Sequence, residues 1–245
     1  LNEAQPGAHA VNLTDQARHL VHQLRQDRKF DHENVWKLIH VFIGGNDLCD
    51  FCKNSDIYAN ETFAAGIMEA VQYLSDNLPK TIVVLTSTLD ISLIRKIDSI
   101  SEQCRIVGLM NPQCDCRGNT SFTDRQLSVV SRLFMEAEQK LQDSGYFDNK
   151  DDFTLVVQPF LEEVTEPPTN SDGSLNTSFF GQDCFHWSKL GHAVVAKNLW
   201  NNILQPVGSK NRNASLNDVD FPLLCPDEEC PFIRTTKNSA NCSEF

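Results

Sequence analysis

Two short stretches of this 245-residue sequence carry side chains suited to acid–base and anion-stabilising chemistry. In the first, "DCFH", Asp183 and His186 are three residues apart, just before a helical pattern. If both lie on one side of a loop, the carboxylate accepts the imidazole Nδ1–H. This fixes the tautomer and leaves Nε2 free to take a proton from a nucleophile. The alternative is a helix-capping aspartate beside an incidental histidine, which is what an isolated D-x-x-H usually represents.

The second stretch, "GGND", places Gly44, Asn46 and Asp47 directly after an apolar run. An asparagine amide donates to a developing oxyanion without titrating, and glycines let the chain turn and approach closely. Gly7, which follows a proline near the start of the chain, has a backbone N–H that suits the same role. Taken alone, each of these features is more often an ordinary turn.

Strand and helix patterns alternate along the chain and must position these residues. Strands are predicted at 37–43, 81–87 and 153–160, and helices at 14–25, 60–74, 123–141 and 188–204, whereas 104–110 fits either. This alternation predicts a parallel sheet with helices on both faces. In such sheets the reactive groups lie beyond the carboxyl ends of the strands, which is where "GGND" falls.

Two of the predicted helices carry details specific enough to check. "TDRQ", beginning at Thr123, is a capping box, and Gly145 is expected to stop the helix that follows. In the last helix, the spacing of apolar residues predicts an inward face. That face comprises Leu190, Ala193, Ala196, Trp200 and Ile203.

The order of the blocks resembles that of the SGNH hydrolases, also called the GDSL lipase/esterase superfamily: a glycine turn, G-x-N-D after a strand, then D-x-x-H before the last helix. Longer stretches resemble the membrane-associated phospholipase B group, namely "LNEAQPGA", "FIGGNDLCDFC", "DDFTLVVQPF", "SFFGQDCFHWSKLGH" and "LWNNILQPVG". "CPFIRTTKNS" resembles the stretch that follows the domain in that group. One block is weak evidence, but five ordered segments across nearly the whole chain are strong evidence.

The resemblance implies both a fold and an activity. The implied fold is the three-layer α/β/α, flavodoxin-like SGNH hydrolase architecture with a mostly parallel sheet. The implied activity is that of a phospholipase B-type carboxylic ester hydrolase, acting on phospholipid or lysophospholipid through serine, histidine and aspartate. No metal or cofactor is implied, because the acid–base pair and the oxyanion hole supply the chemistry.

The resemblance also implies a role for each matching residue. His186 is the general base, and Asp183 orients it. Asn46, through its side-chain amide, and Gly7, through its backbone N–H, form the oxyanion hole. Two further residues support the loop that holds this asparagine, Gly44 and Asp47. The aspartate is expected to do so through Asx-type bonds to neighbouring N–H groups.

The serine block of the family is absent from these 245 residues, which contain neither a G-D-S segment nor a G-x-S-x-G elbow. The family places its serine upstream of the glycine block, which here begins at Leu1. We therefore expect the serine, and the first strand of the sheet, in a piece that precedes Leu1. Two alternatives remain open. One is a non-catalytic glycoprotein domain that binds lipid or a partner protein, and the other is an SGNH esterase for other acyl esters.

Charge and cysteine content restrict the partners and the compartment. A net charge of −12 argues against nucleic acid and against anionic membranes bound through a basic patch. Nine cysteines without zinc spacing indicate disulfides, with Cys49–Cys52 as the expected local bridge and one cysteine left over. Six N-x-S/T sequons add to the case for the secretory pathway. They lie at Asn12, Asn60, Asn119, Asn176, Asn213 and Asn241.

The chain is predicted to divide into an N-terminally incomplete SGNH hydrolase domain, residues 1–205, and an irregular tail or linker, residues 206–245. No run of 18 apolar residues is present, so no transmembrane helix is expected. Neither a signal peptide nor an initiator methionine is found, which suggests a processed product or a fragment. The expected location is secreted or on the extracellular face of the plasma membrane, with any membrane contact made by regions outside this chain.

Overall fold

Three parallel strands form the centre of the computed structural model, which describes residues 1–242. They are β1 (Lys37–Phe42), β2 (Thr81–Thr86) and β3 (Phe153–Gln158), arranged in the order β1-β2-β3. Phe42 pairs with Thr86, and Thr86 with Gln158, so the carboxyl ends of all three strands are level. The predicted parallel sheet is therefore confirmed, and the segments that leave these strands emerge at one edge.

Helices connect and cover the strands. They are α1 (Leu13–Gln26), α2 (Gly45–Asp50), α3 (Asn60–Asn77), α4 (Leu93–Ile100), α5 (Glu102–Met110), α6 (Asp115–Gly118), α7 (Asp124–Asp143), α8 (Lys189–Ile203) and α9 (Thr236–Ala240). Single 3-10 turns lie at Ala10–Asn12, Tyr146–Asp148 and Thr177–Phe179. Across residues 1–242, none of the helices combines the length and apolarity needed to cross a bilayer.

The ends of two helices follow from local side chains. Thr123 and Gln126 form the predicted capping box at the start of α7, and Gly145 follows its end with a φ of +65°. The ambiguous stretch 104–110 is helical. Its N-cap is Ser101, whose side chain accepts a hydrogen bond from the Cys104 N–H. A serine cap of this kind favours a helix, but the spacing of apolar residues does not reveal it.

The predicted inward face of α8 is largely wrong. Of its five residues only Ile203 is buried, while Leu190 and Trp200 are exposed. Val194 and Val195 take the inward positions instead. The Trp200 indole N–H donates to the carbonyl of Leu224, so this large ring lies at the surface beneath the tail. The tail thus gives the tryptophan a partner that helical spacing does not reveal.

The buried apolar residues form two clusters. The larger one contains alternate strand residues, such as Val83 and Leu155, together with residues of α1, α3 and α7. The smaller one joins α4 and α8 to Phe160 and Leu161, which follow β3, and it includes Cys184. The loop that carries Asp183 and His186 is therefore packed against the second cluster, beside the carboxyl end of the sheet.

One edge of the sheet is open within residues 1–242. β1 pairs with β2 on one side only, and its Leu38 and Phe42 side chains remain exposed. A groove of about 670 Å³ runs between this strand, α1 and the first residues of the chain. An unpaired strand edge carries free N–H and C=O groups and offers a template for another strand.

Four disulfides cross-link the chain, and they correct the predicted Cys49–Cys52 bridge. The pairs are Cys49–Cys114, Cys52–Cys116, Cys104–Cys184 and Cys230–Cys242. The first two cysteines lie three residues apart on α2 and the turn after it, so both thiols face α6 instead of each other. Two bridges therefore hold α2 against α6. Cys225 is the unpaired cysteine, and it is exposed.

Residues 206–242 have little regular structure but pack back onto the domain. The Ala214 N–H donates to the carbonyl of Phe160 at 2.8 Å. The Val207 N–H donates to Ser239 Oγ at 2.8 Å, which joins the beginning of the segment to α9. The Lys210 ammonium donates to the carbonyl oxygens of Asn202 and Gln205 near the end of α8.

A buried carboxyl pair lies where β2 and β3 end. Ser87 Oγ is 2.7 Å from a carboxyl oxygen of Glu138 and 2.7 Å from one of Glu162. A hydroxyl has one proton and cannot donate to both, so one carboxyl must hold a proton of its own. Burial raises the pKa of Glu138 well above its usual range, against the opposing hydrogen bonds from Ser87 and the Thr88 N–H. We therefore take Glu138 as the protonated member.

This assignment predicts how stability depends on pH. The unfolded chain releases the Glu138 proton near its ordinary pKa of about 4.3, whereas the folded protein keeps it to higher pH. The contribution of this group to stability is complete below that value and is lost as pH rises toward the folded pKa. As pH rises from about 5 to 8, we expect the free energy of unfolding to fall less in Glu138→Gln than in the wild type. Urea denaturation at each pH measures it.

Glu163→Gln is the control for that measurement. Glu163 accepts a hydrogen bond from Arg212 Nε on the exposed side of the same region. We expect this variant to keep the pH dependence of the wild type. Identical pH dependence in Glu138→Gln and the wild type would contradict the assignment.

Candidate active site

Asp183 and His186 form a hydrogen-bonded pair on the loop before α8. The Nδ1 atom of His186 lies 2.6 Å from Oδ2 of Asp183. The other carboxyl oxygen accepts the backbone N–H groups of Phe185, at 3.0 Å, and of His186, at 3.1 Å. One carboxylate thus holds the backbone of the loop and also orients the imidazole, whose Nδ1–H is the donor.

The electrostatics of this pair favour an ionised carboxylate. Burial alone would raise the pKa of Asp183, but hydrogen bonds from the His186 side chain and from two backbone N–H groups outweigh it and lower the pKa. The His186 side chain is 63% exposed, and its Nε2 forms no hydrogen bond within residues 1–242. An oriented imidazole with a free Nε2 can accept a proton from a hydroxyl brought to it.

The loop reaches the carboxyl end of β1 through an aromatic contact. The Trp187 ring stacks on the Phe42 ring, with centroids 5.5 Å apart and planes 13° apart. Phe42 is the last residue of β1, two positions before Gly44. This contact brings the Asp183–His186 loop to the strand end from which the "GGND" block departs.

Gly44 makes the turn from β1 into α2. It is the N-cap of α2 and has a φ of +104°, a region that residues with a Cβ rarely adopt. A Cβ at this position would lie 2.5 Å from Cγ2 of Thr88 and 2.7 Å from the Phe63 ring. Both the conformation and the space therefore require glycine.

Asn46 and Asp47, in the first turn of α2, bind the N-terminal turn from two sides. The Asn46 amide donates one hydrogen bond to the Ala8 carbonyl at 2.9 Å. Both carboxyl oxygens of Asp47 accept the Ala10 N–H at 3.2 Å. The sequence predicted bonds from Asp47 within its own loop, but the partner lies 37 residues away. Gly7, with a φ of +76°, immediately precedes Ala8, whose carbonyl accepts the Asn46 amide.

Asp47 is almost completely buried, with 3% of its surface exposed. Burial raises its pKa, and the hydrogen bond from the Ala10 N–H together with nearby His9 opposes that shift. His9 adds a third connection, because its Nε2 lies 2.8 Å from Asp50 and its ring lies 4.9 Å from that of Tyr58. No pattern in the sequence indicated this role, since His9 stands in an irregular stretch with no periodic partner.

Two other histidines lie close to these elements. His40 lies on β1 and bonds to Thr86 Oγ1 at 2.9 Å, and burial lowers its pKa. His192 contacts the Trp187 ring at its edge. All six sequon asparagines are at least partly exposed. Within residues 1–242, no group of three or more metal-ligating side chains is assembled.

Comparison with known proteins identifies the family of this arrangement. The GDSL-like lipase/acylhydrolase family matches residues 1–199, most of the chain. The chain belongs to this family. A parallel sheet with the histidine loop and the asparagine block at the carboxyl end of its strands is consistent with a GDSL hydrolase.

Related curated proteins extend the match beyond this GDSL lipase domain. The human protein "Phospholipase B1, membrane-associated" is 37% identical over 243 residues, 98% of this chain. Its rat counterpart is 36% identical over 241 residues, or 97%. The chain spans 16% of the length of each of these relatives. No solved structure matches the chain significantly.

The two adjacent glycines of the GDSL asparagine block give a sharp test of this geometry. We expect Gly44→Ala to destabilise the domain by roughly 2 to 4 kcal/mol, because the new methyl group meets Thr88 and Phe63 in a strained backbone. At Gly45 a Cβ has no heavy atom within 4 Å, so Gly45→Ala is expected to change stability by less than about 0.5 kcal/mol. Urea denaturation measures both, and equal effects would contradict the close packing at Gly44.

Proposed function

We propose that this chain provides the acid–base pair and the oxyanion hole of a serine ester hydrolase of the phospholipase B type. The observation that carries the proposal is the Asp183–His186 pair, with its 2.6 Å hydrogen bond and an exposed imidazole. Membership of the GDSL-like lipase/acylhydrolase family and the names of the related proteins support an ester of a lipid as substrate. Phospholipid or lysophospholipid is the proposed substrate class.

The nucleophilic serine is proposed to come from a segment that pairs with the open edge of β1. The apolar groove beside that strand and the exposed Leu38 and Phe42 support such a partner. A parallel strand there would end level with Phe42, on the side of the sheet edge to which Trp187 brings the histidine loop. The serine then need only follow that strand to stand near His186.

In the proposed reaction, the serine hydroxyl attacks the ester carbonyl while His186 Nε2 takes its proton. The resulting imidazolium is stabilised by Asp183 and returns the proton to the leaving alcohol. Water then attacks the acyl-enzyme. It gives one proton to His186, which passes that proton back to the serine as the fatty acid leaves. All proton transfers therefore run through one ring nitrogen.

The oxyanion is proposed to bind Asn46, Gly7 and the N–H of the serine itself. The Asn46 amide has two N–H groups, and the Ala8 carbonyl already holds one of them. That bond fixes the plane of the amide, so the second N–H is available in a set direction. Donors held in place before the reaction stabilise the developing charge without a reorganisation cost. No metal or cofactor takes part in this scheme.

The proposed location is the lumen of the secretory pathway or the outside of the cell. Four disulfides are typical of an oxidising compartment. N-glycosylation at the six sequon asparagines, each at least partly exposed, is part of this proposal. Contact with a membrane is assigned to regions outside this chain.

The proposed activity can be tested with protein expressed from the complete coding sequence. We expect a fluorophosphonate probe to label it on a serine, and fatty acid to be released from lysophosphatidylcholine. Absence of labelling in a folded protein would favour the non-catalytic alternative, a domain that binds lipid or a partner. Labelling and hydrolysis of simple acyl esters without release from phospholipid would favour the alternative of an SGNH esterase for other substrates.

Asn46→Ala tests the oxyanion hole in that protein. Loss of one such donor typically lowers kcat by about 10² to 10³, and we expect KM to change little. Asn198→Ala is the matched control, because that amide also donates to a backbone carbonyl but lies on α8. Near-normal turnover in Asn46→Ala, measured as initial rates of ester hydrolysis, would exclude this role.

Asp183→Asn tests the orienting carboxylate. An amide no longer favours the Nδ1–H tautomer, and in a well-studied triad the same change costs about 10⁴ in kcat. We expect a loss of roughly 10³ to 10⁴ here. Asp172→Asn is the control, because Asp172 likewise accepts a backbone N–H two residues on, from Ser174. A loss smaller than tenfold would show that His186 does not need this partner.

A further inference from the structure

We propose that the Cys104–Cys184 disulfide, together with Arg117, is a positioning device for the Asp183–His186 pair. The inference rests on the proposed function and goes beyond it, because it assigns a role to residues that touch neither substrate nor nucleophile. The bridge joins α5 to the residue between Asp183 and Phe185, across 80 positions of sequence. It is the disulfide whose end lies inside the D-x-x-H block.

Cys184 has a backbone conformation that cysteine rarely adopts. Its φ is +51°, in the left-handed region, and its N–H donates to the Gly181 carbonyl at 3.1 Å. The turn closes with a bond from the Gly181 N–H to the His186 carbonyl at 2.7 Å. This left-handed residue turns the chain so that the Asp183 carboxylate meets the following N–H groups and the imidazole. A strained residue persists only when its surroundings hold it there, and the disulfide does so.

The other end of the bridge is held firmly. Cys104 is completely buried, and its carbonyl accepts a hydrogen bond from Arg117 Nη2 at 2.8 Å. The Arg117 guanidinium also binds both carboxyl oxygens of Asp98, at 2.9 and 2.5 Å. A Cβ on Gly108 would lie 2.2 Å from the Arg117 guanidinium carbon, so the absence of a side chain lets the guanidinium lie against α5.

These contacts form one continuous connection. Asp98 on α4 binds Arg117 on α6, which binds Cys104 on α5, and the disulfide carries that position to the D-x-x-H loop. The His186 side chain is 63% exposed, and the ring that it contacts belongs to Phe185 of the same loop, with centroids 4.9 Å apart. The orientation of the acid–base pair therefore depends on the backbone of its loop, which the disulfide holds.

Paired replacement of the cysteines tests the cross-link without leaving a free thiol. In protein from the complete coding sequence, we expect Cys104→Ala/Cys184→Ala to lower kcat by about 10- to 100-fold with KM within about twofold, because small misplacements of a catalytic group have effects of this size. Cys104→Ala/Cys184→Gly should retain more activity, because glycine adopts the positive φ without strain. The control is Cys230→Ala/Cys242→Ala, which removes a bridge in the tail and should leave kcat unchanged.

A second measurement does not depend on ester hydrolysis. In this chain, the titration of the Asp183 carboxyl followed by ¹³C NMR reports the hydrogen bonds that lower its pKa. We expect that pKa to rise toward its ordinary value in Cys104→Ala/Cys184→Ala, and to stay low in the tail-bridge control. If the complete protein proved inactive, the proposed function would fail, whereas this titration would still decide whether the bridge positions the pair.

Arg117→Lys provides a variant that keeps all four disulfides, should the double replacement not fold. Lysine cannot bind Asp98 through two nitrogens and the Cys104 carbonyl at once. We expect the same direction of change, a higher Asp183 pKa and a lower kcat at similar KM. An unchanged Asp183 titration and an unchanged kcat, either in the double replacement or in folded Arg117→Lys, would overturn the proposal.

Discussion

The hydrogen bond from the Ala10 N–H to the buried carboxylate of Asp47 is the constraint on which the candidate site depends. It joins the N-terminal turn to the start of α2, two segments that are far apart in sequence. Once it forms, the Ala8 carbonyl, one residue after Gly7, falls within reach of the Asn46 amide. A buried carboxylate without a donor would cost free energy, so Asp47 can be buried only because the Ala10 N–H binds it.

Three carboxyl groups of this domain have pKa values that their surroundings shift in different directions. Burial raises the pKa of both Asp47 and Glu138, whereas hydrogen bonds lower the pKa of Asp183 in its more open loop. Of these three, Asp183 is the one that accepts a hydrogen bond from an imidazole, and that imidazole is exposed. The carboxylate beside this imidazole is therefore kept ionised, while those behind the sheet edge hold backbone and hydroxyl groups in place.

The sequence predicted the strands and long helices well because their patterns reflect burial along a single element. It failed where a distant segment supplied the partner. Trp200 bonds to the tail, so the inward face of α8 was wrong, and Cys49 pairs with Cys114, so the local bridge was wrong. The D-x-x-H pair was recognisable because its two residues are close in sequence. The bond of Asp47 to Ala10 was not, since no local spacing encodes it.

The disulfides divide the candidate site into two separately supported parts. The bridges at Cys49 and Cys52 hold α2 against α6, next to the asparagine block, while the bridge at Cys184 holds the histidine loop against α5. The Trp187–Phe42 contact then relates one part to the other across the end of β1. Because α6 also carries Arg117, which binds the Cys104 carbonyl, both parts are connected to this one short helix. A shift of α6 would therefore move the asparagine block and the histidine loop together, which keeps the distance between them more constant than two independent supports would.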